Sequence, residues 1–385
     1  MSKTFVSKPI TFTHPMIAAL HLENNKQAFG FVSASPDTDC RETVRALKEN
    51  IPLTLVGGTS LGDPFDASGE PFGTSVAFVG KKGVTSAVVL SQPIDSDNCA
   101  SLIDDLHSRC VEKLADTPKL FIVFMPVTTN LFADNFIDAL FKAVNDIPVV
   151  GCMVSDDFKA DRFAVFADGE AFNDRIALVA LGGDVRPVFA VGQELTIPSD
   201  YSPVITEAEG NVIRRVDGIP FGEYLKRFNI DASALEDFPL TVRMRKPENS
   251  GDDRITITAL VKLEADQSGV FATTVTVGDT VSLGYLNKEN IENSTRACLD
   301  QLTAGMAEKT AEGYRFDMIL AFSCIGRYYA INNDSHIEAD AMEASLPEDI
   351  GKFGMFAFAE FCPVPDSSGA LKNARHGQSL VTCAF

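Results

Sequence analysis

No stretch of this 385-residue sequence approaches the roughly 20 consecutive apolar residues that a membrane-spanning helix needs. The opening residues, MSKTFVSKPITFTHP, also lack the continuous apolar centre of a secretory signal. Basic residues are scarce: 33 Lys and Arg against 53 Asp and Glu leave a formal net charge of −20. So acidic a chain has no sequence-independent grip on phosphates, so neither nucleic acid nor a membrane surface is an expected partner. Histidine is scarcer still, five in all, and none stands in an HExxH pair or a Cys/His cluster, so no zinc centre is expected. The eight cysteines (Cys40, Cys99, Cys110, Cys152, Cys298, Cys324, Cys362 and Cys383) show no CxxC spacing. Several lie in apolar strands or on helix faces, where a reduced thiol packs as a small hydrophobe. Structural thiols and a cytoplasmic address are the expectation.

What the chain does have is repetition. Ala28–Asp63 reads AFGFVSASPDTDCRETVRALKENIPLTLVGGTSLGD, and Leu120–Asp157 reads LFIVFMPVTTNLFADNFIDALFKAVNDIPVVGCMVSDD. Each is an apolar strand, a small polar loop, an amphipathic helix and a second apolar strand ending in Gly. A fainter third copy runs from Met318 to Phe361, where MILAFSC leads into IGRYY and the closing strand GKFGMFAFAEF ends on Glu360. Such recurrence marks a duplicated scaffold whose strand-end loops are left for function.

Within the copies, Cys40, Val44, Leu47 and Ile51 recur at helical spacing behind an N-cap at Asp37, Thr38 or Asp39. Phe132, Phe136, Leu140 and Val144 do the same behind Thr129 and Asn130. Strand, helix, strand implies parallel pairing. Hairpins are expected at Thr74–Leu90 and Arg162–Leu181, each with Gly in a turn-rich centre. Further helices are expected at Ser101–Leu114 (Leu102, Leu106, Cys110, Leu114 inward) and Asn290–Met306 (Ile291, Cys298, Leu302, Met306 inward). The segment LTIPSDYSPV, with Pro198 and Pro203, places a domain boundary near residue 200. Between Arg243 and Arg254 the charged RMRKPENSGDDR reads as an exposed loop. The expected fold is α/β, with α+β as the alternative: repeated strand-helix-strand-hairpin units forming mixed sheets covered by helices, in two domains.

Loops leaving the carboxyl ends of parallel strands are where open α/β proteins place ligands. Gly57, Gly58, Thr59 and Ser60 leave one such edge; Gly151, Cys152 and Ser155 leave another. Glycine lets successive N–H groups converge on an anion, or simply makes a tight turn. Arg327, following MILAFSC, offers a planar fork for a carboxylate, and Glu360 is a lone carboxyl among Phe356, Phe358 and Phe361. The two either pair with each other or hold opposite ends of a zwitterion. Asp63, Asp156 and Asp157 receive an amine or cap backbone groups. Glu207, Gly210, Asn211 and Asp217 line an interdomain cleft or make turns. Cys324 with His376 is the best thiol and base for an enzyme, with Ser323 nearby in sequence. For haem, His107 and His376 are the candidate axial ligands, each weighed against an ordinary structural histidine.

The junction ITEAEGNVIRRVDGIPFGEYL (Ile205–Leu225), the later FSCIGR, GMFAFAEF and RHGQSLV, and the upstream PVVGC with SDDF together resemble the FIST sensory family. The resemblance spans about Ala28 to Val381. It implies a FIST N-like domain with two internal repeats at 1–200 and a FIST C-like domain at 201–385. It also implies a sensor of small ligands, amino acids being typical, with haem reported for some members. Ala359, Gly377 and Ser379 depart from the family pattern. The resulting expectation is a stand-alone intracellular sensor that binds an amino acid or small carboxylate, without cofactor or catalysis, and signals to a separate protein. A haem-binding sensor of a diatomic gas is the alternative, and a Cys-dependent hydrolase a third reading. Its ligand residues would be Gly57, Gly58, Thr59, Ser60, Gly151, Cys152, Ser155, Asp157, Asn211, Ser323, Cys324, Arg327, Glu360 and His376.

Overall fold

The computed structural model describes residues 4–7, 27–68, 72–94, 99–127, 133–157, 161–230, 240–247, 255–334 and 336–385. The first unit comprises β1 (Thr4–Ser7), β2 (Phe29–Ala34), α1 (Cys40–Asn50), β3 (Thr54–Thr59) and β4 (Thr74–Val79). The second runs β5 (Val84–Leu90), α2 (Cys99–Leu114), β6 (Pro118–Met125), α3 (Ala133–Val144), β7 (Val149–Met153), the short β8 (Val165–Ala167) and β9 (Glu170–Phe172), then β10 (Ala177–Gly183). A third unit opens with β11 (Val188–Gly192) and is interrupted by an inserted stretch: β12 (Ile205–Glu209), β13 (Val212–Val216), β14 (Ile219–Pro220), α4 (Phe221–Lys226), β15 (Leu240–Arg245), β16 (Ile255–Leu263), β17 (Gly269–Phe271) and β18 (Thr280–Gly284). It resumes with α5 (Lys288–Ala311), β19 (Met318–Cys324), α6 (Ile325–Ala330), α7 (His336–Ser345), β20 (Gly351–Ala357), β21 (Ala359–Pro365), β22 (Leu371–His376) and β23 (Leu380–Ala384).

Three sheets repeat one strand order: β1-β4-β2-β3-β8-β9, β5-β10-β6-β7-β21-β22 and β11-β23-β19-β20. The strand-helix-strand pairs β2/β3, β6/β7 and β19/β20 are parallel, as their helical connections require. Register superposes the copies: Gly57 faces Val32, Gly151 faces Val123 and Gly354 faces Ala321. After its second parallel strand, each unit sends chain to another unit's sheet. The β8–β9 pair extends the first sheet past β3, and β21–β22 extends the second past β7. The stretch after β3 lies along β20, with Gly62 against the Phe356 ring and Asp63 and Pro64 against Gly354.

Both expected hairpins are therefore corrected. β4 pairs with β1 and β2, whereas β5 pairs with β10 in the second sheet. Likewise β8 and β9 form a small hairpin in the first sheet, while β10 returns to the second. Two apolar strands around a Gly turn look alike whether they pair with each other or with separate edges. The third copy also ends earlier than its sequence suggested: β20 stops at Ala357, and Glu360 belongs to β21.

The inner faces of all three sheets share one core. Phe31 packs against Phe124 (centroids 6.1 Å) and Phe353 (5.2 Å), and Phe124 against Phe322 (6.1 Å). Burying each such ring contributes about 1.5–3 kcal/mol. The outer faces are covered by helices whose apolar stripes the sequence spacing anticipates. α1 lays Val44 and Leu47 on the first sheet and starts at Asp39, whose side chain accepts from Glu42 N (3.0 Å). α2 and α3 cover the second sheet through Leu102, Leu106, Cys110, Leu114, Phe136, Leu140 and Val144. α5 covers the third through Cys298, Leu302 and Met306, and Asn287 caps its start in a reciprocal capping box with Asn290. Phe132, Thr129, Asn130 and most of the charged stretch after Lys246 lie outside the described residues, although Arg243–Arg245 are strand. The inserted stretch forms a fourth, antiparallel sheet with its own core of Phe221, Tyr224, Leu260 and Phe271. The architecture is α/β: mixed sheets covered by helices.

Candidate functional site

Gly57 and Gly151 sit inside strands rather than in open loops. A Cβ on Gly57 (φ +156°) would lie 1.8 Å from Val32 O, and one on Gly151 (φ +151°) 2.0 Å from Val123 O. Glycine is thus required, but the close neighbour is an adjacent strand backbone rather than an anion. Gly58 and Cys152 lie in the same strands, each flanked by strands on both sides, so these segments form no anion cradle. Thr59 Oγ1 accepts from Ala164 N (3.0 Å), tying the first unit to the second. Ser60 and Ser155 meet at the third unit: Ser60 Oγ accepts from Phe356 N (2.8 Å), and Ser155 Oγ donates to Phe356 O (2.5 Å). Their hydroxyls rivet the three strand ends together.

Arg327 is also corrected. It is fully buried, and its partner is Glu338 of α7, not Glu360: Nε and Nη2 donate to Glu338 Oε1 at 2.9 and 2.7 Å. Nη1 donates to Ser294 Oγ (2.9 Å) and Nη2 to Thr295 Oγ1 (2.8 Å). Ser323 Oγ donates to the other Glu338 oxygen (2.7 Å). This buried ion pair is internally satisfied and ties α5, α6 and α7 to β19. Its guanidinium fork is spent. Asp157 pairs with Arg162 Nη2 (2.8 Å), which also reaches Asp37 (2.5 Å) through Nη1, and Asp156 caps Asp161 N and Arg162 N. Capping and pairing are thus what these two carboxylates do. Asn211 Nδ2 donates to Phe271 O (2.8 Å), Asp217 accepts from Val204 N and Tyr201, and Glu207 pairs with Arg215, all within the fourth sheet and its approach.

Glu360 lies elsewhere and differently. Its ladder partners are Cys152 on β7 and His376 on β22, and it is fully buried. Ser379 Oγ donates to Oε2 (2.8 Å), whereas Oε1 has no hydrogen-bond partner among the described residues. Burial pushes this carboxyl up to about 8, against the opposing influence of Ser379, Arg375, Cys324 and Arg327. Burial, reinforced by the Glu360 charge, also pushes the Cys152 and Cys324 thiols upward, so neither is a ready nucleophile. Cys324 N donates to Ser379 O (2.8 Å), bringing the start of α6 against the β22–β23 turn. In that turn Gln378 (φ +56°) lays its carboxamide over Gly326, where a Cβ would come within 2.3 Å of Oε1, and that oxygen is buried without a partner among the described residues.

Arg375, the ladder partner of Phe361, points to the α3 face of the sheet, opposite the face that carries Glu360. Its Nη1 reaches Asp134 of α3 (3.4 Å) and Nη2 donates to Ala272 O (2.9 Å), while the buried Nε has no partner among the described residues. Asp134 in turn accepts from Thr273 (2.9 Å) and Thr274 (2.7 Å) of the inserted sheet. Burial works against its ionisation, but Arg375 and these bonds prevail and hold it below the usual carboxylate range. The junction therefore offers a neutral-leaning carboxyl and an open amide oxygen, two acceptors for an amine. The structure brings Cys152, Cys324, Glu360 and His376 to this junction, and leaves Asp157 and Asn211 engaged in other contacts. Arg375 and Gln378 escaped the sequence reading, although both lie in the RHGQSLV segment that carries the family resemblance.

His376 Nε2 donates to Cys362 O (2.9 Å), and burial lowers its pKa. With Nε2–H committed to that carbonyl, Nδ1 is left as the acceptor nitrogen of the ring. His107 packs against the Phe121 ring (5.4 Å) on the face of α2. All eight cysteines are unpaired. Among the described residues, no helix is long and apolar enough to cross a membrane.

Comparison with known proteins places the chain. A protein of Methanocaldococcus jannaschii described as uncharacterized is 24% identical over 339 residues, which cover 81% of this chain and 61% of that protein. This chain thus spans under two thirds of that relative's length. The crystal structure of a cyanuric acid hydrolase from A. caulinodans aligns with 100% of this chain and 99% of its own at 10% identity, with a TM-score of 0.34. T. maritima PurL complexed with ATP aligns at 8% identity over 100% and 70% of the two chains, with a TM-score of 0.18. Neither likeness is close enough to carry fold or activity across. Models of the FIST N domain (residues 28–219) and the FIST C domain (residues 221–363) together match nearly the whole sequence, and the chain belongs to the FIST family of small-ligand sensory domains.

Proposed function

We propose that this protein senses a small amine-bearing carboxylate, an amino acid being the ligand class, at the junction of Glu360 and Gln378. One observation carries the reading: Glu360 Oε1 and Gln378 Oε1 are both buried with no partner among the described residues. Buried polar atoms are paired in native proteins, and two open acceptors at one junction suit a ligand ammonium. The ligand ammonium would take Glu360 and the Gln378 oxygen. Glu360 lies on β21 and Gln378 packs over Gly326 of α6, so a ligand held between them would bias the packing between these parts. A separate signalling partner, in the cytoplasm, would read that population shift. The ligand is bound and released unchanged.

A thermal-shift screen with amino acids, small carboxylates and simple amines tests this. At least one amino acid should raise the melting temperature, with the rise lost in Glu360→Gln and Gln378→Leu but kept in Asp157→Asn. No stabilising amino acid, or hits that survive both junction substitutions, would overturn the proposal. A Soret band in protein produced with haem available would instead favour the gas-sensor alternative.

A further inference from the structure

A second set of open polar atoms lies in the first unit. Ser33 and Ser75 face each other across the β2–β4 ladder, both fully buried, and Asp63, just beyond β3, is 2% exposed. Ser33 Oγ, Ser75 Oγ and Asp63 Oδ2 all lack a hydrogen-bond partner among the described residues. The other Asp63 oxygen accepts from Phe65 N (3.0 Å). The Ser75 hydroxyl lies close enough to Asp63 to favour its charged form.

The hydroxyls are not demanded by the scaffold. In the register that superposes the three units, Ser33 corresponds to Phe124 and Phe322, which pack on each other in the shared core. Ser75, opposite Ser33, corresponds to Ala177 and Val381. Only the first unit is polar at both positions. The other charge acting on Asp63 is the like-charged Asp66, and burial pushes the Asp63 carboxyl up to about 7. A buried carboxyl with no cationic side chain beside it among the described residues needs a proton or a bound cation to stay uncharged overall.

We propose that Asp63, Ser33 and Ser75 bind a monovalent alkali cation, sodium or potassium, at the first-unit side of the shared core. The donors are all oxygen, which disfavours zinc and copper. They bring one formal charge, whereas calcium sites gather several carboxylates and magnesium demands near-octahedral geometry. The residues are distinct from those of the Glu360 junction, so this proposal stands or falls separately from the ligand reading.

The test uses the full chain exchanged into tetramethylammonium chloride near pH 8.5, above the Asp63 proton. Sodium or potassium chloride is then titrated at constant ionic strength while the melting temperature is followed. The site predicts a saturable rise of several degrees with one of the two ions, absent in Asp63→Asn and weakened in Ser75→Ala and Ser33→Ala. Identical melting temperatures in all three salts would overturn it. So would an ion response that persists unchanged in the serine variants, which remove only a hydroxyl and retain the fold should Asp63→Asn fail to do so.

Discussion

Replacing Glu360 by Gln should remove a pH-dependent loss of stability that the native chain carries. The carboxyl titrates near 4.5 when exposed and at about 8 in the folded protein, burial being the main cause. Because the folded value is the higher, between these limits the unfolded chain has released a proton that the native chain still holds. Stability therefore falls as pH rises through that window and levels off above about 8. At about 1.4 kcal/mol per pH unit, the window corresponds to about 4–5 kcal/mol. Asp63 adds a second loss between 3.8 and about 7, so the native chain should lose stability most steeply where the two windows overlap. Urea unfolding across this range is the assay. Glu360→Gln should match the native chain near pH 5 and exceed it by about 3–5 kcal/mol near pH 9, because the amide keeps the shape without the charge. A difference between the two proteins that does not change with pH would refute the assignment of a buried, proton-holding Glu360. A cationic amine favours the ionised carboxylate, so the affinity of an amino-acid ligand should climb with pH until about pH 8.

Two substitutions probe the scaffold. Arg327→Ala leaves Glu338 buried without its cation and should cost about 3–5 kcal/mol in chemical denaturation, while Arg327→Met with Glu338→Leu should recover most of it. Lost ligand response at unchanged stability would contradict the structural role assigned to that pair. Gly151→Ala places a methyl 2.0 Å from Val123 O at φ +151°, and expression as insoluble protein or a markedly lower melting temperature is expected. A native melting temperature would show that β6 and β7 can separate.

Much of the scaffold was legible in the sequence because it follows from local rules. Apolar residues at helical spacing placed α1, α2, α3 and α5 and their buried faces. Helix-length connections between apolar strands dictated the three parallel pairs. The need for glycine at Gly57 and Gly151 was also visible, but its cause was not: the crowding atoms are carbonyl oxygens of strands that only pairing brings near. Arg327 shows the same limit. A guanidinium after an apolar strand can recognise a ligand or a neighbouring helix, and Glu338, eleven residues on, was unmarked by any motif.

The sequence by itself determined the three units, their helices and the family, since each rests on short-range periodicity or an ordered set of motifs. Tertiary structure alone decided where each strand pairs. Hairpin-like stretches part into separate sheets because the edges that need covering belong to other units, and the third unit closes with β23 only after the inserted sheet has been passed. That exchange carries Glu360 from the third unit onto β7 of the second and sets it beside Ser379, Cys324 and Gln378. It also places Asp63 of the first unit beside Gly354 of the third. A carboxyl becomes a candidate site through what surrounds it, and here the surroundings come from segments far apart in the chain.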